Sequence, residues 1–222
     1  MNAVVEATLR AYERWARAYP PLAHNPLMRA EQRSMLELWP DVAGRRVLDL
    51  ACGSGRYARL LLEAEASQVV GLDFCVPMLR QVLAADRVCA SMMRLPFQPG
   101  VFDAVICGLA VAHATDIRGW MREVARVLRP GGSLLYSDFH PAAARAGMTR
   151  SFKDDNDVTW TVPHGVYDLP CQQEAAAAAG LTVEAISEVR LGVELTEAFP
   201  RSDEIYREWH GLPIVLVIRA HK

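Results

Sequence analysis

The chain has 222 residues, long enough for one large domain with a substantial core. Hydrophobic residues make up 51% and charged residues 23%, a balance that excludes a largely disordered chain. The formal net charge of −2 carries no basic excess, so the totals give no electrostatic footprint for a nucleic acid partner.

The N-terminal run MNAVVEATLRAYERWARAY has charges interrupting every apolar stretch, which fits neither a secretory signal nor a membrane span. The expected location is cytoplasmic. In residues 2–18 the apolar positions Val5, Leu9, Tyr12, Ala16 and Tyr19 recur at helical spacing until Pro20-Pro21 stops them, and a second helix is expected over 26–38. Residues 46–50 and 68–73 are short apolar runs that each end in or near an aspartate, with a helical segment at 57–66 between them. Together they read as a βαβ unit.

The alternation continues with a helix at 76–85, strands at 87–90 and 102–107, and a helix at 117–128 that ends at Arg129-Pro130-Gly131-Gly132. Residues 133–137 follow as a buried strand. Five strands with intervening helices imply a parallel sheet with helices on both faces. The pattern then lapses, and SFKDDNDVTWTVPHG reads as an insertion or short hairpin. Order returns with a helix at 171–179, a strand-like run at 181–190 and the strongly apolar PIVLVIRA at 213–220. The expected fold is a Rossmann-like, doubly wound α/β sheet of about seven strands in one domain. Residues 1–40 form a helical cap, 41–139 the core, 140–168 a substrate-side insertion and 169–222 the closing helix and strands.

The five cysteines Cys52, Cys75, Cys89, Cys107 and Cys171 are scattered through apolar segments without a C-x-x-C pair, so buried thiols are expected rather than a zinc site or a disulfide framework. No metal is expected at Asp138, His113 and His140 either, since they sit on separate connections without i, i+4 pairing.

The stretch VLDLACGSG, residues 47–55, runs from an apolar strand into a glycine turn. Gly53-x-Gly55-x-x-Ala58 matches the relaxed dinucleotide fingerprint, and Asp73 ends the second strand where a ribose hydroxyl would be held. A tight structural turn is the alternative for the glycines alone. Asp49 discriminates between cofactors. A diphosphate beside this carboxylate would be repelled by several kcal/mol, on the order of the Coulomb energy at an effective dielectric of about 20. S-adenosylmethionine has no phosphate and offers an ammonium and a sulfonium instead.

The segments VLDLACGSG, VVGLDF, RLPFQPGVFDAVICGLAVAH and REVARVLRPGGSLLYSDF resemble the successive motifs of the class I S-adenosylmethionine-dependent methyltransferases. The subgroup is the one that includes ubiquinone and menaquinone biosynthesis methyltransferases. The similarity covers about residues 46–139, and AYERWARAYP resembles the segment that folds over the cofactor. The resemblance implies a sheet whose last strand is antiparallel, and S-adenosylmethionine as cofactor, leaving S-adenosylhomocysteine as product. It places Asp49, Ala51, Gly53 and Gly55 around the methionine part and Asp73 on both ribose hydroxyls, whose vicinal pair matches two carboxylate oxygens. Phe74 and Met78 would flank the adenine, with Met92 beside Ser91. Gly108 and Leu109 would contribute backbone near the methionine group, and Tyr12 and Tyr19 would either close the pocket or only pack the first helix. One departure is Ser91 in ASMMRLPF, where the family usually has an aspartate that accepts from the adenine amino group. A hydroxyl accepts that bond more weakly.

Methyl transfer from a sulfonium needs alignment of the acceptor and exclusion of water, and a base only where the acceptor must lose a proton. His113 in GLAVAHATD and His140 in YSDFHP are the candidate catalytic bases, both expected at the carboxyl edge of the sheet; the alternative for each is a structural hydrogen bond. His164 and Tyr167 belong to the insertion and would line an acceptor pocket or lie in a solvated loop. The resulting expectation is a methyltransferase acting on a small organic molecule at oxygen or carbon. Alternatives are a carboxyl methyltransferase for a carrier-bound acyl chain, with a basic patch drawn from Arg145, Arg150 and Lys153, and an inactive cofactor-binding protein. A nicotinamide-dependent oxidoreductase is disfavoured by Asp49.

Overall fold

A computed structural model describes residues 3–83, 86–154, 156–196 and 202–222, without the side chains of 194, 196, 202, 203, 205 and 206. The chain opens with two helices, α1 (Ala3–Trp15) and α2 (Pro26–Glu37). Asn25 caps α2, its side-chain oxygen accepting from Met28 N at 2.8 Å, and Pro26 suits the first turn because the missing N–H has no helical partner there.

Alternation follows: β1 (Arg46–Leu50), α3 (Arg56–Glu63), β2 (Gln68–Asp73), α4 (Val76–Leu79), β3 (Asp86–Cys89), β4 (Phe102–Cys107), a 3-10 turn at Val111–His113, α5 (Ile117–Val127) and β5 (Leu128–Phe139). The insertion holds α6 (Pro141–Arg145) and a separate hairpin of β6 (Ser151–Lys153) and β7 (Thr159–Thr161). The chain closes with α7 (Leu169–Ala178), β8 (Thr182–Arg190), α8 (Val193–Thr196), α9 (Ser202–Trp209) and β9 (Pro213–His221).

The main sheet has seven strands in the order β3-β2-β1-β4-β5-β9-β8. β3, β2, β1, β4 and β5 pair in parallel, and β9 runs antiparallel between β5 and β8. The expected sheet, with PIVLVIRA as its antiparallel strand, is the one observed.

Successive side chains of a strand point to opposite faces, and both faces of this sheet are covered. Leu48, Leu50, Val105 and Tyr136 pack with Trp120, Met121 and Val124 of α5, while Val47, Ile106 and Leu135 pack with Met35 of α2 and Ala58 and Leu61 of α3. Full burial of a large apolar side chain such as Met121 contributes about 1.5–3 kcal/mol. Asp49 shares the parity of Val47, so the alternation that buries the strand sends this carboxylate toward α3.

Two boundaries differ most from the sequence expectation. The helix expected over 76–85 is helical only over Val76–Leu79; residues 84 and 85 lie outside the described part. The chain turns there because Val82, 2% exposed, is drawn onto the glycine turn, its atoms standing 3.1–3.2 Å from where a Cβ on Gly55 would be. The strand expected from 133 begins at Leu128, directly after α5. Its Gly131-Gly132 segment is tied to the chain end, Gly131 N donating to Lys222 O at 2.8 Å and Lys222 N to Gly132 O at 3.0 Å.

Candidate active site

A cavity of about 1440 Å³ opens at the carboxyl ends of β1, β2 and β4, under α1 and the β6–β7 hairpin. This is the strand-order reversal where open α/β sheets take their ligands. The turn after β1 forms its floor. Ala51 adopts φ 55 and Gly55 φ 91, and Gly53 N donates to Asp73 Oδ2 at 2.8 Å. Asp73 Oδ1 accepts from Cys75 N, also at 2.8 Å, so the carboxylate is fixed by two backbone bonds and keeps a further lone pair on each oxygen. Burial raises its pKa, against the pull of these N–H groups.

Asp49 is 1% exposed, lines the cavity, and its Oδ2 has no hydrogen-bond partner among the described residues. Burial pushes its pKa up to about 7, offset in part by the Ala58 backbone N–H and the Arg56 charge. A buried acceptor left unsatisfied costs free energy that a ligand cation would recover. This orphaned oxygen, with the Asp73 carboxylate beyond it, fits a ligand presenting an ammonium near one end and a vicinal diol farther along.

The second wall is the turn after β4. Gly108 has no room for a side chain, since a Cβ there would sit 2.2 Å from the Tyr57 ring. Leu109 adopts φ 54 and is pinned from both sides: its N–H donates to Ser137 Oγ at 2.9 Å and its carbonyl accepts from Arg150 Nη1. Behind it lies a buried network. Glu31 of α2, 0% exposed, accepts from Arg56 Nη1 at 2.7 Å, from Tyr57 OH at 2.8 Å and from Ser137 Oγ.

Of the residues expected around the cofactor, Tyr19, Asp49, Ala51, Gly53, Asp73, Phe74, Met78, Ser91, Met92, Gly108 and Leu109 line the cavity, as does Tyr12. Gly55 does not line it; its role in the fold is to cap α3 and admit Val82. Ser91 Oγ accepts from Met93 N at 3.2 Å, which holds the loop. Burial pushes the Tyr19 phenol up to about 12.

The two candidate bases separate. His113 lines the cavity, with Nε2 2.9 Å from Tyr12 OH and 3.1 Å from Arg150 Nη1. Burial first, and the Arg150 charge second, push its pKa well below the ordinary imidazole value. His140 is not among the lining residues: it caps α6, Nδ1 accepting from Ala142 N at 3.1 Å, and Nε2 lies 3.2 Å from Glu188 Oε1. In this structure His140 is thus the cap of α6 and stands outside the cavity lining.

Arg150, Glu31, Trp15 and Phe152 carried no catalytic signal in the sequence. Arg150 is 7% exposed and donates from Nη2 to Asp138 Oδ1 at 3.1 Å. It therefore belongs to the cavity wall rather than to a surface patch. Arg145 pairs with Asp168, and Lys153 with Asp157 at 2.7 Å, so both are matched by acids. Trp15 stacks on Phe152 with centroids 4.6 Å apart and planes 3° apart, which joins α1 to the hairpin across the cavity mouth. Among the described residues no group of three or more His, Cys, Asp or Glu side chains could hold a metal, and no helix is long and apolar enough to cross a membrane.

Residues 48–136 match the family model for a methyltransferase domain. A demethylmenaquinone methyltransferase from Corynebacterium urealyticum is 39% identical over 51% of this chain and 48% of its own length. A malonyl-[acyl-carrier protein] O-methyltransferase from Methylovorus is 32% identical over 68% of this chain and 55% of its own length. The chain thus spans about half the length of these curated relatives. A crystal structure of an S-adenosylmethionine dependent methyltransferase from Mesorhizobium loti shares the fold, with a TM-score of 0.70 at 22% identity over 87% of this chain and 98% of that one. The strand order, the glycine turn and the matched segment agree: residues 48–136 are similar to a methyltransferase domain, set in a fold shared with an S-adenosylmethionine dependent methyltransferase.

Proposed function

We propose that this chain transfers a methyl group from S-adenosylmethionine to a small organic acceptor at oxygen or carbon, as a single domain acting in the cytoplasm. The observation that carries the reading is the buried, unpartnered Oδ2 of Asp49 beneath the glycine turn. When bound, S-adenosylmethionine supplies a methyl group activated by a sulfonium.

The residues divide the work. Asp49 meets the ammonium, and the Ala51–Gly53 backbone follows the methionine part, with Gly55 holding the turn from behind. Asp73 receives the ribose diol on the free lone pairs of its two oxygens. Phe74, Met78 and Met92 enclose the adenine, with Ser91 on its amino edge. Gly108 and Leu109 border the reacting end, held by Ser137 and Arg150. Tyr12 and Tyr19, under the Trp15–Phe152 stack, exclude water and keep the acceptor aligned.

A carrier-bound acyl chain is the second reading, favoured by the similarity to the Methylovorus protein. The acid partners of Arg145 and Lys153 and the burial of Arg150 weigh against the basic surface it would use. Isothermal titration with S-adenosylmethionine, S-adenosylhomocysteine and NAD tests the cofactor. Binding of both sulfur ligands is expected, and tight binding of NAD alone would overturn the proposal. Labelled cofactor incubated with cell extract, followed by mass identification of the labelled product, identifies the acceptor.

A further inference from the structure

Two imidazoles, those of His113 and His164, line the cavity, and they differ in how their ring nitrogens are held. His113 Nε2 is already held by Tyr12 OH at 2.9 Å and Arg150 Nη1 at 3.1 Å, both donors, so its lone pair is spent and a proton there would sit against a guanidinium. His164 is arranged the other way. Its Nδ1 lies 3.1 Å from the Val162 carbonyl, which only accepts, so Nδ1 carries the hydrogen and the neutral ring presents its lone pair at Nε2. That nitrogen makes no hydrogen bond among the described residues, and the residue lines the cavity while remaining half-buried.

Phe139 relates His164 to the nearby charge. The His164 ring lies 6.1 Å from the Phe139 ring and the Arg150 guanidinium lies 4.8 Å from it. Arg150 lines the main cavity but its partner Asp138 does not, so the cavity meets the cationic end of that ion pair. Tyr167, on the same segment as His164, is engaged with the Ala114 carbonyl at 2.7 Å. Charged and titratable groups around His164 include Asp138 of β5 and His113 of the 3-10 turn, which feel its charge, with Arg150 across Phe139 and Tyr167 on its own segment.

We propose that His164 Nε2 accepts the proton of a phenol or enol hydroxyl lodged in the acceptor half, and that Arg150 favours the resulting oxyanion. The acceptor's O–H bond breaks with its electron pair left on oxygen, and an N–H bond forms at Nε2. The imidazolium returns the proton to water once the product has left. This assignment rests on the methyltransferase reading and deepens it by naming the acceptor class.

The test uses the full chain saturated with S-adenosylhomocysteine, whose binding is first established by calorimetry, and 4-nitrophenol as the probe, because its absorbance separates phenol from phenolate. Bound probe is expected to ionise about one pH unit below its value in water, an approximately tenfold shift of the ratio. His164→Gln should restore at least the solution value while leaving S-adenosylhomocysteine affinity within about twofold, and 15N NMR should show Nε2 of His164 gaining a proton as phenolate forms. Equal ionisation in wild type and His164→Gln overturns the proposal, as does a probe that fails to bind or stays neutral on the loaded protein. Failure to bind S-adenosylhomocysteine would instead sink the methyltransferase reading.

Discussion

Trp15 of α1 and Phe152 of β6 lie face to face across the mouth of the cavity, 4.6 Å apart and within 3° of parallel. The stack continues inward, since Trp15 also meets Tyr19 edge-on at 4.7 Å and Tyr12 at 6.0 Å. Outside it, Asp154 takes Trp160 Nε1 at 2.8 Å and Arg14 lies over the Trp160 ring. An aromatic pair of this kind is worth about 0.5–1.5 kcal/mol beyond its buried area. Trp15→Ala should therefore raise amide exchange in both α1 and the hairpin while the central strands keep their protection. Exchange followed by mass spectrometry checks this, and loosening of α1 alone would show that the two elements close independently.

Asp49 makes apo stability depend on pH. Its folded pKa stands at about 7 against 3.8 for an ordinary aspartate, so between those values the folded chain keeps a proton that the unfolded chain has released. Its stabilising contribution is full below about 3.8 and is lost as pH rises through about 7. Relative to wild type, Asp49→Asn should gain stability on going from pH 5 to pH 8, by on the order of a few kcal/mol, measured by urea unfolding at each pH.

The same carboxylate predicts proton release on cofactor binding. Near pH 7 it is about half protonated, and a ligand ammonium favours the ionised form. Titration with S-adenosylhomocysteine in buffers of different ionisation enthalpy should report release of about half a proton. Asp49→Asn should bind more weakly and release none.

Asp73 accepts from Gly53 N and Cys75 N with one oxygen each, at 2.8 Å. Asp73→Asn turns one of those oxygens into a donor, which breaks one turn bond and removes the charge that would hold the ribose. Hydrogen bonds to a charged group are worth about 1.5–3 kcal/mol, so S-adenosylhomocysteine affinity should fall roughly 10–100-fold by calorimetry.

Glu31 joins the cap helices to the cofactor wall through Arg56, Tyr57 and Ser137. Glu31→Gln leaves the Arg56 guanidinium, 7% exposed, without a counter-charge, and breaking a buried pair in this way costs about 3–5 kcal/mol. Urea unfolding should show that loss. Arg56→Met with Glu31→Gln together should recover part of it, because neither charge is then buried alone.

The sequence by itself determined the layered sheet and the crevice at its carboxyl edge. Short apolar runs alternating with helical periods admit little besides a doubly wound sheet. The glycine turn, Asp49 and Asp73 lie within one βαβ unit, where chain order and spatial order coincide. The acceptor side was decided only by tertiary structure. Arg150 reads locally as one of three basic residues in a polar insertion, yet folding buries it against Asp138 of β5, Leu109 after β4 and Tyr12 of α1. Glu31 reads as a surface charge on an amphipathic helix until α2 packs across the sheet and brings Arg56 to it. His140 and His164 both read as histidines in loops, and only the fold makes one a helix cap and sets the other on the cavity wall. Periodicity reports which face a residue occupies; its partners come from distant segments whose approach the local pattern does not encode.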